Sequence, residues 1–130
     1  MLASLAYVSL SKIPSFSPEM LDLARACLTR NPALGLTGAL YFDGVQFYQV
    51  LEGNPDSLEA MYATIAADPR HSAVQRLWDG PIARRRFADW AMKFVEGGCR
   101  SVCGTGVFDY ADALASGRDQ DARIAELARA

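Results

Sequence analysis

The chain has one histidine, His71, and its three cysteines, Cys27, Cys99 and Cys103, contain no Cys-x-x-Cys pair. Three thiols and an imidazole could in principle hold zinc. However, Cys27 falls mid-helix by pattern, and Cys99 and Cys103 lack ligand spacing. Reduced thiols in a reducing cytoplasm are the simpler reading, with no metal site. Charge of one sign is not in excess either: 13 basic against 15 acidic residues leave a net charge of −2. That gives no electrostatic case for nucleic acid or an anionic membrane. No apolar run approaches the roughly 18–20 residues that span a bilayer. The start, MLASLAYVSLSK, has no basic head before a long apolar stretch, so it reads as a strand and not as a signal peptide. A Gly-rich phosphate loop is missing, since LEGNPDS lacks the lysine and the glycine spacing. There is no Ser–His–Asp order and no internal repeat.

What remains is an ordinary globular composition, 51% apolar and 22% charged over 130 residues, enough for one core. Residues 2–9 read as a strand with Leu5, Tyr7 and Ser9 on one face. Ser17 suits an N-cap, Pro18 the first turn, and Met20, Leu23, Ala24, Cys27 and Leu28 follow helical spacing. The helix is expected to stop near Arg30, because Pro32 disfavours helical geometry at Asn31. Strands follow at 36–42 and 45–51, joined by a two-residue Asp43-Gly44 turn. A second helix over 56–67 buries Leu58, Met61, Tyr62 and Ile65, and strands at 73–78 and 89–95 close the order. The arginines of IARRRFAD between them decorate a solvated connection. The fold class is α+β: a ferredoxin-like βαββαββ arrangement, with a mixed five-stranded sheet and two helices on one face.

Gly97-Gly98 marks a boundary, giving a domain over 1–96 and an extension over 97–130 with weak helical patterns at 108–116 and 119–129. That tail, or a second copy of the chain, is expected to cover the sheet's other face and support a homodimer.

One residue does not suit a core strand. In FYQVLEG, Gln49 shares a face with Val45, Phe47 and Leu51, and a buried amide without partners costs about 1–3 kcal/mol. Backbone, water or a ligand must meet it. In a ferredoxin-like sheet the first and third strands are neighbours, so Tyr7 and Gln49 stand side by side beneath the helices, with Asn31 at the sheet's edge. A phenol and two amides offer no strong nucleophile and no evident base. They suit a planar heterocycle, because an amide pairs with an imide edge as donor and acceptor together.

Five segments in order carry a resemblance: AYVSLS, RNPALGLTGALYFDG, FYQVLEG, ADPRH and PIARRRFADWAM. Through them the chain resembles the BLUF domain, a flavin-binding sensor of blue light, over residues 2–95. The resemblance implies that Tyr7 is the photoactive tyrosine, Gln49 the switching glutamine and Asn31 a flavin-edge amide. Leu23 and Ile65 match the positions that sandwich the ring, and Leu40 and Phe47 match pocket walls. Arg30 takes a variable position that reaches the ring or a phosphate. Arg70 and His71 match contacts to the flavin's oxygen edge or side chain, or else are a helix-end cation and a surface imidazole. Pro32 departs from the usual residue after the asparagine and stiffens it.

The family mechanism has Tyr7 lend an electron and a proton to the light-excited flavin. Gln49 rearranges, by rotation or tautomer change, and absorption shifts to the red. Trp90 and Met92, sharing a face of the last strand, relay the change or are plain core residues. FAD is the usual cofactor, with FMN or riboflavin presenting the same ring. The implied function is a non-enzymatic photoreceptor that signals to a separate effector protein or through an oligomer. The alternative is a small flavin-dependent redox enzyme acting in the dark.

Overall fold

Strict two-residue alternation governs β1 (Ala3–Ser11), β2 (Thr37–Phe42) and β3 (Gln46–Gly53). Leu5, Tyr7, Leu40, Phe42, Phe47 and Leu51 point to one face. Ala6, Val8, Ala39, Tyr41, Tyr48 and Val50 point to the other. The computed structural model describes residues 1–13, 17–42 and 46–96. It adds α1 (Pro18–Ala33), α2 (Pro55–Ala66), β4 (His71–Pro81) and β5 (Lys93–Glu96). The sheet runs β4-β1-β3-β2-β5. All neighbours are antiparallel except β2 and β5, which are parallel. This is the ferredoxin-like α+β arrangement, with β1 and β3 as its central pair.

α2 starts where the Asn54 side chain accepts a 2.8 Å bond from the Asp56 N–H, with Pro55 in the first turn. Its Leu58, Met61 and Ile65 bury against the first face, each stabilising by about 1.5–3 kcal/mol. α1 sits more loosely. Cys27 and Asn31 are its buried residues among those described, while Leu21 and Leu28 are exposed. A cleft therefore stays open between α1 and the sheet.

The structure corrects four expectations. First, α1 does not stop at Arg30 but runs through Pro32, so Asn31 lies within its last turn. The bond Pro32 cannot donate would go to the Leu28 carbonyl on an exposed turn, where water can replace it. The Asn31 carbonyl then accepts from the N–H groups of Leu34 (3.1 Å) and Leu36 (2.9 Å), and Gly35, at φ +67°, turns the chain away. Second, β5 begins at Lys93, so alternation does not place Trp90 and Met92 on one face. Trp90 is 49% exposed, whereas Met92 is buried. Third, β4 reaches back to His71, which is a buried strand residue and not a surface imidazole. Fourth, Arg85 is no solvated decoration, because it bonds Thr37, Glu52 and Gly35. On the second sheet face Tyr41, Tyr48 and Val50 are fully buried, and Phe87 and Leu77 pack on it. The Asp43-Gly44 turn, Cys99, Cys103 and the expected tail helices fall outside the described residues.

β4 meets β1 through two irregularities. The register steps between Ala6 and Tyr7, then between Val8 and Leu10. The first places Arg76 opposite Tyr7; the second places His71 opposite Ser11. Each step reverses which face a β4 residue occupies. Arg76 and His71 thus both share the helix-side face with Tyr7.

β2 and β3 approach closely at Gly38, where an added Cβ would stand 2.0 Å from the Val50 carbonyl oxygen. Gly38→Ala is expected to destabilise the fold by about 3 kcal/mol, read as a lower denaturant midpoint at unchanged slope.

Candidate functional site

The floor of the cleft is one ladder row: Tyr7 pairs with Gln49 across β1 and β3, and Gln49 pairs with Leu40 across β3 and β2. Register alone therefore puts phenol and amide in contact. Tyr7 Oη donates a short hydrogen bond to Gln49 Oε1. Gln49 Nε2 in turn donates to Met92 Sδ at 3.6 Å. The buried amide is paired at both ends, though thioether sulfur is a weak acceptor.

The cleft encloses about 460 Å³ of empty space, counted to its open mouth. Tyr7, Leu40, Phe47 and Gln49 form its floor; Leu23, Cys27 and Arg30 come from α1, and Thr64 and Ile65 from α2. Asp68, Arg70 and His71 close one end. Apolar Leu23 and Ile65 belong to opposite helices, an arrangement that suits a flat ring between them. His71 Nδ1 lies 2.7 Å from Ser9 Oγ, and Nε2 lies 2.6 Å from the Ile65 carbonyl. A carbonyl only accepts, so Nε2 carries a proton. His71 thus holds its ring edge-on to Tyr7 and Phe47.

Of the residues expected to hold the cofactor, Asn31 alone is off the cleft wall; the expected relay residues Trp90 and Met92 do not line it either. Its Nδ2 donates to the Ala91 carbonyl at 2.9 Å, while its buried Oδ1 has no partner among the described residues. Trp90 is brought no closer than the segment that carries Met92. Its carbonyl accepts from the Gly38 N–H at 3.2 Å, and its side chain is at the surface. Cys27, Thr64 and Asp68 line the cleft but were not singled out from sequence. The spacing Leu23, Cys27, Arg30 follows one helix face and could have found Cys27. Thr64 and Asp68 offered no comparable signal.

Burial pushes the Tyr7 phenol well above its usual value, so it is protonated. Burial also raises the Cys27 thiol, although Arg30 beside it opposes this. At the rim, Arg70 binds Asp68 at 2.6 Å and lowers its carboxyl. Arg76, opposite Tyr7, stacks 4.3 Å from the Tyr62 ring centre and binds Glu59 at 2.8 Å.

Among the described residues, two buried side-chain polar atoms lack partners: Arg30 Nε, a donor, and Asn31 Oδ1, an acceptor. Arg30 lines the cleft, so its orphan donor calls for an acceptor on a ligand there, whereas Asn31 Oδ1 is not on the lining. A flavin's ring edge carries carbonyl acceptors, and its flat ring suits Leu23 and Ile65, so the lining residues fit a flavin.

The family model described as "BLUF: Sensors of blue-light using FAD" matches residues 2–93. The chain belongs to the BLUF family. It is a flavin-binding member of a family of blue-light sensors. The photoactivated adenylate cyclase subunit beta of Euglena gracilis is 38% identical over 94 residues, covering 71% of this chain and 11% of that protein. The chain thus spans only about a tenth of that relative's length. Among solved structures, the BLUF protein BlrB in its dark state is 33% identical with a TM-score of 0.80, over 98% of this chain and 92% of that one. Klebsiella pneumoniae BlrP1, solved with FMN and cyclic diGMP, is 38% identical with a TM-score of 0.68, over 74% of this chain and 26% of that one. Among the described residues of this BLUF chain, no helix is long and apolar enough to cross a membrane, and no His, Cys, Asp or Glu cluster suits a metal ion.

A phenol whose pKa is raised on folding holds its proton longer in the native state. The stability this contributes is complete below pH 10, the usual tyrosine value, and falls as pH rises beyond it. Tyr7→Phe is expected to flatten the alkaline fall in stability above that pH, measured by denaturation from pH 8 to 12.

Proposed function

We propose that this BLUF chain is a blue-light photoreceptor in which Tyr7 and Gln49 form the photoactive pair and Met92 receives their change of state. The observation that carries this reading is the continuous chain Tyr7 Oη–Gln49 Oε1 and Gln49 Nε2–Met92 Sδ. Bound flavin would supply blue-light absorption and a strongly oxidising excited state. Arg30, Asn31, Leu23, Ile65, Leu40, Phe47, Arg70 and His71 would hold it. Arg30 and Arg70 at the cleft suit a phosphate-bearing tail, which favours FAD or FMN over riboflavin, and FAD, the flavin named for the family, is the proposed form.

Tyr7 is suited to lend and recover an electron and a proton. Its O–H is directed at Gln49 Oε1, and burial keeps water and hydroxide away from it. Gln49 is suited to switch because one rotatable group carries both a donor and an acceptor. Turned over, the amide would offer Nε2 to the Tyr7 oxygen and Oε1 to Met92 Sδ. A thioether has no proton to give, so the Met92 tether would be lost. The same amide movement would therefore alter the pocket and release the segment before β5. Trp90, exposed on that segment, is its surface outlet. Output passes to a separate effector or to another copy of the chain in a homodimer or larger oligomer, in the cytoplasm. The chain itself is not an enzyme.

Purified protein should be yellow and should show a red shift under blue light that reverses in darkness. Tyr7→Phe and Gln49→Leu should each abolish the shift while retaining flavin. A normal photocycle in Tyr7→Phe would refute its role, and oxidation of a pyridine nucleotide in the dark would favour the redox-enzyme reading instead.

A further inference from the structure

Beyond the Ile82 N–H bond to the Leu2 carbonyl (3.0 Å), the segment between β4 and β5 is held by two clusters of bonds of unequal chemistry. Glu52, 1% exposed, lies three residues along β3 from Gln49 and faces the opposite side of the sheet. Its Oε2 accepts from the Arg86 N–H at 2.6 Å, and its Oε1 accepts from the Phe87 N–H at 3.0 Å and Thr37 Oγ1 at 2.9 Å. Arg85 completes the clasp, donating to Thr37 Oγ1 (2.8 Å) and to the carbonyls of Glu52 (3.1 Å) and Gly35 (2.8 Å). Phe87 is buried behind it. Five residues further on the hydrogen bonds involve no carboxylate: the Gly38 N–H to the Trp90 carbonyl at 3.2 Å, the Trp90 N–H to the Phe87 carbonyl at 3.0 Å, one amide bond from Asn31 and the N–H···S contact from Gln49. Carboxylate bonds to N–H groups are about twice as strong as neutral ones, and sulfur accepts weakly.

We propose that Glu52, with Arg85, is a positioning residue that makes residues 85–87 a fixed pivot, so that loss of the Gln49 contact swings only 90–92. This rests on the light-sensing reading above. β3 thereby holds both the moving end and the stationary end of the segment. The geometry suits a lever more than a strap, because the two attachments lie on opposite faces of one strand. Released from Gln49, residues 90–92 would turn about the clasp and not detach from it.

Glu52→Gln tests this with little change of shape. An amide puts N–H groups where one carboxylate oxygen accepted, so donor meets donor at one of the backbone sites. The measurement is residue-resolved hydrogen exchange on the flavin-loaded full chain, in darkness and under steady blue light. In the unsubstituted protein, light should speed exchange of the Gly38 amide, which reports the Trp90 contact, about tenfold, leaving Arg86 and Phe87 unchanged. In Glu52→Gln, Arg86 or Phe87 should exchange about tenfold faster already in the dark, the size expected for one lost bond, with the red shift retained. Arg85→Gln, which leaves the carboxylate bonds intact, should let light reach Arg86 and Phe87; it serves if Glu52→Gln does not fold. The pivot is overturned if light exposes Arg86 and Phe87 as much as Gly38 in the unsubstituted protein. It is equally overturned if the variants exchange as the parent does. An absent red shift in the unsubstituted protein removes the light-sensing reading and the pivot together. An intact shift with a mobile clasp removes the pivot alone.

Discussion

The site depends on the pairing of β1 with β3. That register sets Tyr7 directly against Gln49 and needs no loop to bring them together. A slip of one residue would turn one of the two to the opposite face, and the phenol–amide bond would be lost. The register is secured by burial on both faces, with Leu5, Tyr7 and Leu51 on one side and Ala6, Val8 and Val50 on the other. Rigid strands thus hold the reactive groups, while a loosely packed α1 leaves room for a ligand above them. A tighter α1 would gain core burial and lose the cleft.

Most of this was legible in the chain. Alternation along FYQVLEG identified Gln49 as a polar residue on an apolar face, and the element order identified its neighbour. The cleft gathers nearly all the residues expected there because they sit on regular elements, where spacing predicts direction. Failures cluster where regularity stops. Pro32 signals a helix stop, yet in a last, exposed turn the lost bond costs little. Trp90 and Met92 fit a strand pattern but precede β5, so backbone turns rather than alternation decide their directions. Sequence pattern starts the fourth strand at residue 73 and leaves His71 outside it, because the β4 irregularities carry no residue signal at this position. Three adjacent arginines look alike in sequence; only tertiary contacts set Arg85 apart.

The electrostatics divide the site in two. Around Tyr7 and Gln49 the surroundings are apolar, and burial keeps the phenol neutral. At the rim Asp68 and Arg70 neutralise each other, while Arg30 turns toward Cys27. Charge is kept to the edge, where a polar tail would sit, and away from the floor, where a ring would lie. Proton position at the floor is thus set by hydrogen-bond geometry more than by bulk pH.

The two register steps in β4 act as parity switches. The first step turns even-numbered side chains toward the helices, and the second restores the odd ones. Inserting or deleting a single residue between the second step and His71 would send the imidazole to the far side of the sheet, whereas a change of two would return it. Evolutionary length variation in this edge strand is therefore expected to come in pairs, even though the strand lies at the periphery and looks free to vary.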